Sequence, residues 1–130
     1  MSAPTSIRAL VIDDSRATRA IIKKILVASG FEVLEAGDGL DALDIISRIE
    51  GTPDVALVDW NMPRMNGLEF LGVARSREAL SSMKILMVTT ESEERQVRAA
   101  LDAGADEYLM KPFTTEALQG KLALLGLATL

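Results

Sequence analysis

The sequence predicts an α/β fold, a doubly wound five-stranded parallel sheet with five helices. Three observations lead there. Short β-like runs alternate with amphipathic helical stretches along the chain. Residues 10–12, 55–58 and 85–88 are wholly apolar, as strands buried on both faces must be. The 130 residues suit one domain of ordinary size, and 48% of them are hydrophobic.

The first strand takes 7–12, broken only by Arg8. A helix follows over 16–29, with Ile21, Ile22, Ile25 and Leu26 on one face, and Gly30 stands where a terminating glycine belongs. The second strand spans 32–35. The second helix spans 40–49, with Leu43, Ile46 and Ile49 at helical spacing. Pro53 marks a stop before the third strand within 54–59. Met62-Pro63-Arg64-Met65-Asn66-Gly67 reads as a loop, and a short helix runs from Leu68 to Ala74 or beyond. Arg75 and Arg77 near its end read as solvated charges that suit the helix dipole. The fourth strand is 84–89. Thr90-x-x-Glu93 is a capping-box pattern that opens a helix to about Ala103, closed by Ala103-Gly104-Ala105. A short fifth strand takes 108–110, Pro112 breaks the chain, and Thr114 or Thr115 caps a last helix to about Leu125.

Composition excludes several function classes. The chain has no Cys, so neither a disulfide framework nor a Cys-based zinc site is available. It has no His, which removes the commonest metal ligand and Ser-His-Asp hydrolysis. A net charge of −5 argues against nucleic acid and anionic membrane as partners. No apolar run reaches the roughly 18–20 residues of a membrane span, and residues 1–7 do not read as a signal peptide. The expected location is cytoplasmic.

In a doubly wound sheet, sites lie beyond the carboxyl ends of the strands. Asp13 and Asp14 follow the first strand, Asp59 ends the third, Thr89 ends the fourth and Lys111 ends the fifth. Each alone has an ordinary explanation: a turn or cap for the aspartates, β-propensity for the threonine, a surface position for the lysine. Together they put three carboxylates, a hydroxyl and an amine on one edge. Crowded carboxylates repel unless a cation joins them. Oxygen ligands without His or Cys favour Mg²⁺. An Asp carboxylate can attack phosphorus and form an aspartyl phosphate, with Lys111 and Thr89 holding phosphoryl oxygens.

These residues resemble the receiver domains of two-component response regulators over nearly the whole chain. The likeness rests on Val11-Ile12-Asp13-Asp14-Ser15, Leu57-Val58-Asp59-Trp60-Asn61-Met62-Pro63, Met65-Asn66-Gly67, Val88-Thr89-Thr90, and the run from Gly104 through Lys111-Pro112-Phe113. Asp59-Trp60-Asn61-Met62-Pro63 with Glu91 two residues after Thr89 is most similar to the stand-alone chemotaxis members. The resemblance implies a flavodoxin-like strand order 2-1-3-4-5. It implies a receiver domain over 7–127, flanked by an extension at 1–6 and a tail at 128–130, with no output domain of its own.

The resemblance also implies the roles. Asp59 accepts a phosphoryl group from a histidine kinase or histidine phosphotransfer protein. Asp14 and Asp59 ligate Mg²⁺ directly, Asp13 through water, and the Asn61 backbone carbonyl completes the protein ligands. Thr89 moves toward the phosphate and Tyr108 swings inward behind it. Asn61 and Glu91 tune dephosphorylation. The Lys111-Pro112 bond is cis. The chain is then not an enzyme but a switch that phosphorylates itself from a donor and loses the group slowly. Output would pass through the face of the fourth helix, fifth strand and fifth helix to a partner such as a motor switch, as a monomer or a phosphorylation-dependent dimer. Thr90 departs from the family's usual Ala or Gly and would restrict small phosphodonors.

Two features remain. Trp60 should point away from Asp59 and pack at the rim. Leu118, Leu122 and Leu125 form a core face, which leaves Leu124, Leu127 and Leu130 as a partner or dimer surface. Two other readings compete. One is a phosphate-independent scaffold of receiver shape. The other is a haloacid-dehalogenase-like phosphohydrolase, which would need a second Asp where Asn61 stands.

Overall fold

The computed structural model describes residues 6–91 and 94–127. It contains β1 (Arg8–Ile12), α1 (Arg16–Ala28), β2 (Glu32–Ala36), α2 (Gly39–Arg48), β3 (Val55–Val58), α3 (Gly67–Ser76), β4 (Lys84–Thr89), α4 (Glu94–Asp102), β5 (Glu107–Met110) and α5 (Thr115–Leu124). The five strands are all parallel, in the order β2-β1-β3-β4-β5. This is the flavodoxin-like arrangement expected from the sequence.

Alternation along the strands splits the core into two layers. Leu10, Ile12, Ala56, Val58, Ile85 and Met87 face one way, onto Phe70, Leu71 and Ala74 of α3, Ala42 of α2 and Ala100 of α4. Ala9, Val11, Val55, Leu57, Leu86 and Val88 face the other way, onto Ile22 and Leu26 of α1 and Leu118 and Leu122 of α5. Burial on both faces is why these strands read as continuous apolar runs.

Capping sets the helix starts. Ser15, Asp38 and Thr114 each accept a backbone N–H of the first turn, from Thr18, Asp41 and Ala117 respectively. Asn66 and Glu69 form a reciprocal capping box at α3. Of the alternatives for the last helix, Thr114 is the cap. The capping pattern expected at Thr90 depends on Glu93, which lies outside the described residues.

Four readings need correction. Ile21 is 59% exposed, because α1 is rotated so that Ile22 and Leu26 face the sheet. Arg75 is not a solvated charge: it donates to the Gly104 and Leu80 carbonyls and pairs with Asp106, tying α3 to the turn before β5. A 3₁₀ turn at Glu78–Leu80, absent from the sequence reading, buries Leu80 before β4. Leu127 packs partly against the α1 and α5 layer, so of the three tail leucines only Leu124 stands exposed within the described residues. Leu130 lies outside them.

Candidate functional site

Four parallel strands deliver the predicted residues to one edge. Asp13 and Asp14 directly follow β1, Asp59 follows β3, Thr89 is the last residue of β4 and Lys111 follows β5. A carboxylate oxygen from each of Asp13, Asp14 and Asp59 lies within 4.8 Å of the others. Asp13 and Asp59 are buried, whereas Asp14 is exposed at the mouth. The Lys111 ammonium lies 2.7 Å from Asp13 Oδ2 and 3.5 Å from Asp59 Oδ2. The Lys111-Pro112 peptide bond is cis, as the resemblance implied.

Main-chain bonds fix the two buried carboxylates. The Asp59 N–H donates to the Ile12 carbonyl at 2.9 Å, and the Asp13 N–H donates to the Ala36 carbonyl at 3.1 Å. Asp13 Oδ1 accepts from the Ser15 N–H at 2.8 Å, and its carbonyl accepts from the Arg19 guanidinium at 2.6 Å. Asp59 Oδ1 accepts from the Trp60 N–H at 2.8 Å. Close approach shapes the same spot: a Cβ on Gly67 would fall 2.2 Å from the Asp59 carbonyl oxygen, so only glycine fits at the start of α3.

Burial pushes the Asp59 carboxyl above its ordinary range, and the Asp13 charge adds to that. The Lys111 charge, the Thr89 hydroxyl and the Trp60 N–H pull the other way without cancelling it. Asp59 is therefore a strained anion that gains from an added positive charge.

The donor set fits a hard divalent cation. Three carboxylates against one ammonium leave two net negative charges, which a divalent ion neutralises. All the side-chain donors are oxygens. Beside them is a cleft of about 470 Å³ lined by Asp14, Asn61, Met62, Pro63 and Asn66. It has room for an ion with its water shell, at about 30 Å³ per water. Asn61, whose carbonyl the resemblance assigns to the metal, is thus on the cleft wall.

A second set of bonds leads away from Asp59. Thr89 is fully buried, and its hydroxyl accepts the Glu91 N–H at 3.3 Å. The Tyr108 hydroxyl donates to the Glu91 carbonyl at 2.6 Å. Tyr108 is only 7% exposed, so in this conformation it already occupies the inward position that the resemblance tied to phosphorylation. Burial first, then the charges of Glu91 and Asp59, push its phenol up to about 12. The Asn61 side-chain amide donates to Glu91 Oε1 at 2.6 Å, an exposed contact. Thr90 is exposed beside it.

Trp60 packs against the α2–α3–α4 core layer, as alternation suggested. The sequence reading missed Arg19, which holds the Asp13 carbonyl, and Arg64, which pairs with Asp38. Neither carries a local signal: Arg19 holds a main-chain carbonyl, which has no side-chain signature, and Arg64 finds its partner far off in the chain.

A family model described as the response regulator receiver domain matches residues 9–123. The chain belongs to that family. This receiver is 45% identical over 114 residues to a chemotaxis protein CheY homolog of Campylobacter jejuni subsp. jejuni, covering 87% of each chain. Its fold is similar to that of the chemotaxis protein CheY4 of Vibrio cholerae, with TM-score 0.85, 33% identity, and 92% and 98% of the two chains covered. It is also similar to the receiver domain of a sensor histidine kinase from Pseudomonas aeruginosa, solved with a magnesium ion coordinated in its active site cleft. That pair has TM-score 0.82 and 25% identity, over 92% of this chain and 97% of the other. The receiver is therefore homologous to chemotaxis regulators, with an acidic cluster consistent with a phosphoacceptor site. Family behaviour is acceptance and slow loss of a phosphoryl group rather than turnover of a substrate. Among the described residues, no helix is long and apolar enough to cross a membrane.

Proposed function

We propose that this receiver accepts a phosphoryl group on Asp59, with Mg²⁺ held by Asp13, Asp14, Asp59 and the Asn61 carbonyl. The observation that carries the reading is the Asp13–Asp14–Asp59 cluster with Lys111 and Thr89 at its edge. The likeness to a receiver solved with magnesium in its cleft supports the choice of ion.

A carboxylate oxygen of Asp59 forms a bond to phosphorus as the donor's P–N bond to histidine breaks, leaving an acyl phosphate. When bound, Mg²⁺ supplies charge neutralisation at the phosphoryl oxygens. Lys111 leaves its partner Asp13 to hold one phosphoryl oxygen, and Thr89 donates its hydroxyl to another. Moving Thr89 draws on the Glu91 N–H, and Glu91 is also where Tyr108 is anchored. The phosphoryl group thereby biases a two-state element around α4 and β5. Asn61 and Glu91, bonded to each other, govern access of the water that removes it.

The donor is a histidine kinase or phosphotransfer protein. The output partner binds the α4–β5–α5 face, where Leu101 and Met110 are each 44% exposed. Kinship with chemotaxis regulators makes motility control the leading pathway, and a motor switch the leading target. The working unit is residues 7–127, acting in the cytoplasm, with 1–6 and 128–130 as extensions.

The test is intact mass after incubation with Mg²⁺ and a small phosphodonor, beside Asp59→Asn and metal-free controls. One phosphoryl adduct, absent from both controls, is the expected result. Beryllofluoride titration through Trp60 fluorescence covers slow donor entry past Thr90. No adduct and no beryllofluoride response would leave a scaffold of receiver shape.

A further inference from the structure

We infer that Arg64 is a positioning residue whose clamp on Asp38 and Asp41 holds the loop after β3 as a wall of the cation cleft, and so sets Mg²⁺ affinity. This rests on the cation-dependent reading above.

Arg64 has φ of 62°, the one positive value at a non-glycine position among the described residues. That region is unfavourable for a long side chain, so something must hold the residue there. The guanidinium does so with a fork. Nε donates to Asp38 Oδ2 at 2.7 Å and Nη2 to Asp38 Oδ1 at 3.1 Å. Nη2 also reaches Asp41 Oδ1 at 3.1 Å. Asp38 is 5% exposed and caps α2, so the anchor is buried and built into a helix start. The Arg64 hydrogen bond also holds the Asp38 carboxyl below its ordinary range.

The next residue adds a second attachment. The Met65 carbonyl accepts the Gly39 N–H at 3.2 Å, and the Met65 side chain occupies the space a Cβ on Gly39 would need. At the far end, the Gly67 N–H closes onto the Trp60 carbonyl at 2.8 Å. Asn61, Met62 and Pro63 are suspended between these fixings, and they line the cleft together with Asp14 and Asn66. Arg64 does not line the cleft. It acts through the loop it pins, and Mg²⁺ tolerates little departure from octahedral geometry.

The experiment titrates Mg²⁺ against Trp60 fluorescence in the wild type, Arg64→Gly and Arg64→Lys. Glycine accepts the left-handed backbone without strain, so Arg64→Gly removes the clamp alone. Its dissociation constant for Mg²⁺ should rise about tenfold. Arg64→Lys, a point charge without the fork, should fall between. The phosphorylation rate of Arg64→Gly should return to the wild-type value at saturating Mg²⁺, which a general loss of structure would not allow. Wild-type affinity in Arg64→Gly overturns the proposal, and so does a rate deficit that persists at saturation. Should Arg64→Gly unfold, as thermal melting in metal-free buffer would reveal, Asp41→Asn decides. A rise of about twofold supports the clamp and no change overturns it. A wild type that takes up no phosphoryl group on Asp59 with Mg²⁺ present instead sinks the phosphoacceptor reading, and the clamp's role with it.

Discussion

Helices α3 and α4 cover the same face of the sheet but are held there very differently. In α3, Gly67, Phe70, Leu71 and Ala74 are all buried and a reciprocal capping box fixes the start. In α4, only Ala100 is buried, and charged residues take up much of the rest. The sequence explains the contrast: Phe70, Leu71 and Ala74 repeat at helical spacing, whereas α4 offers Val97, Ala100 and Leu101 among Glu94, Arg95, Arg98 and Asp102. Segments with little buried apolar contact open first. The difference divides the labour. One helix holds the loop that follows Asp59 in place, and the other is held by far less buried surface, as the proposed switch requires.

The largest test of this contrast is Phe70→Ala. Emptying a fully buried ring site under α3 should cost about 3–5 kcal/mol in urea unfolding. Ala100→Gly, the matching deletion in α4, should cost only about 1 kcal/mol. Equal losses would erase the distinction.

Next comes the site itself. The folded pKa of Asp59 is raised, so its favourable contribution is complete below the ordinary value of 3.8 and is lost as pH rises through the folded value. At neutral pH its charge therefore weakens the metal-free fold. Asp59→Asn should raise the urea midpoint at pH 7 in the absence of Mg²⁺, and the gain should vanish below pH 3.8. A gain that persists in acid would point to repacking rather than charge.

Tyr108→Phe removes the bond to the Glu91 carbonyl and should cost about 1 kcal/mol. Its signature should be local, with faster amide hydrogen exchange in α4 and none of that change in α3. The smallest effect is expected at Leu101→Ala on the exposed side of α4, within about 0.5 kcal/mol. A larger loss there would mean that α4 is packed more firmly than its burial indicates.

What was legible in the sequence follows the same division. Strand ends could be found because doubly buried strands run apolar up to their carboxyl ends, so Asp13, Asp59 and Thr89 stand out as the first polar groups there, and Lys111 follows the apolar Leu109-Met110. The strand order, by contrast, came from the resemblance. Rotation of α1 was not legible, since Ile21 and Ile22 are chemically alike and only the sheet's position decides which is buried. Arg64 and Arg75 were read as loop and surface residues because their partners lie far off in sequence, at Asp38 and at Gly104 and Asp106. The 3₁₀ turn before β4 was missed because Glu78, Ala79 and Leu80 are too few to show a period.

Glu91 illustrates how such a device stays adjustable. Thr89 and Tyr108 both bond to its main chain, one at the N–H and the other at the carbonyl, while its carboxylate alone meets Asn61. Peptide groups are common to every residue except proline at the N–H. On the proposed reading, the message would travel through a part of the molecule that substitution barely edits, and the timing element would hang from a part that it can edit. If Glu91 sets the lifetime as proposed, swapping that one side chain would reset the clock without cutting the wire.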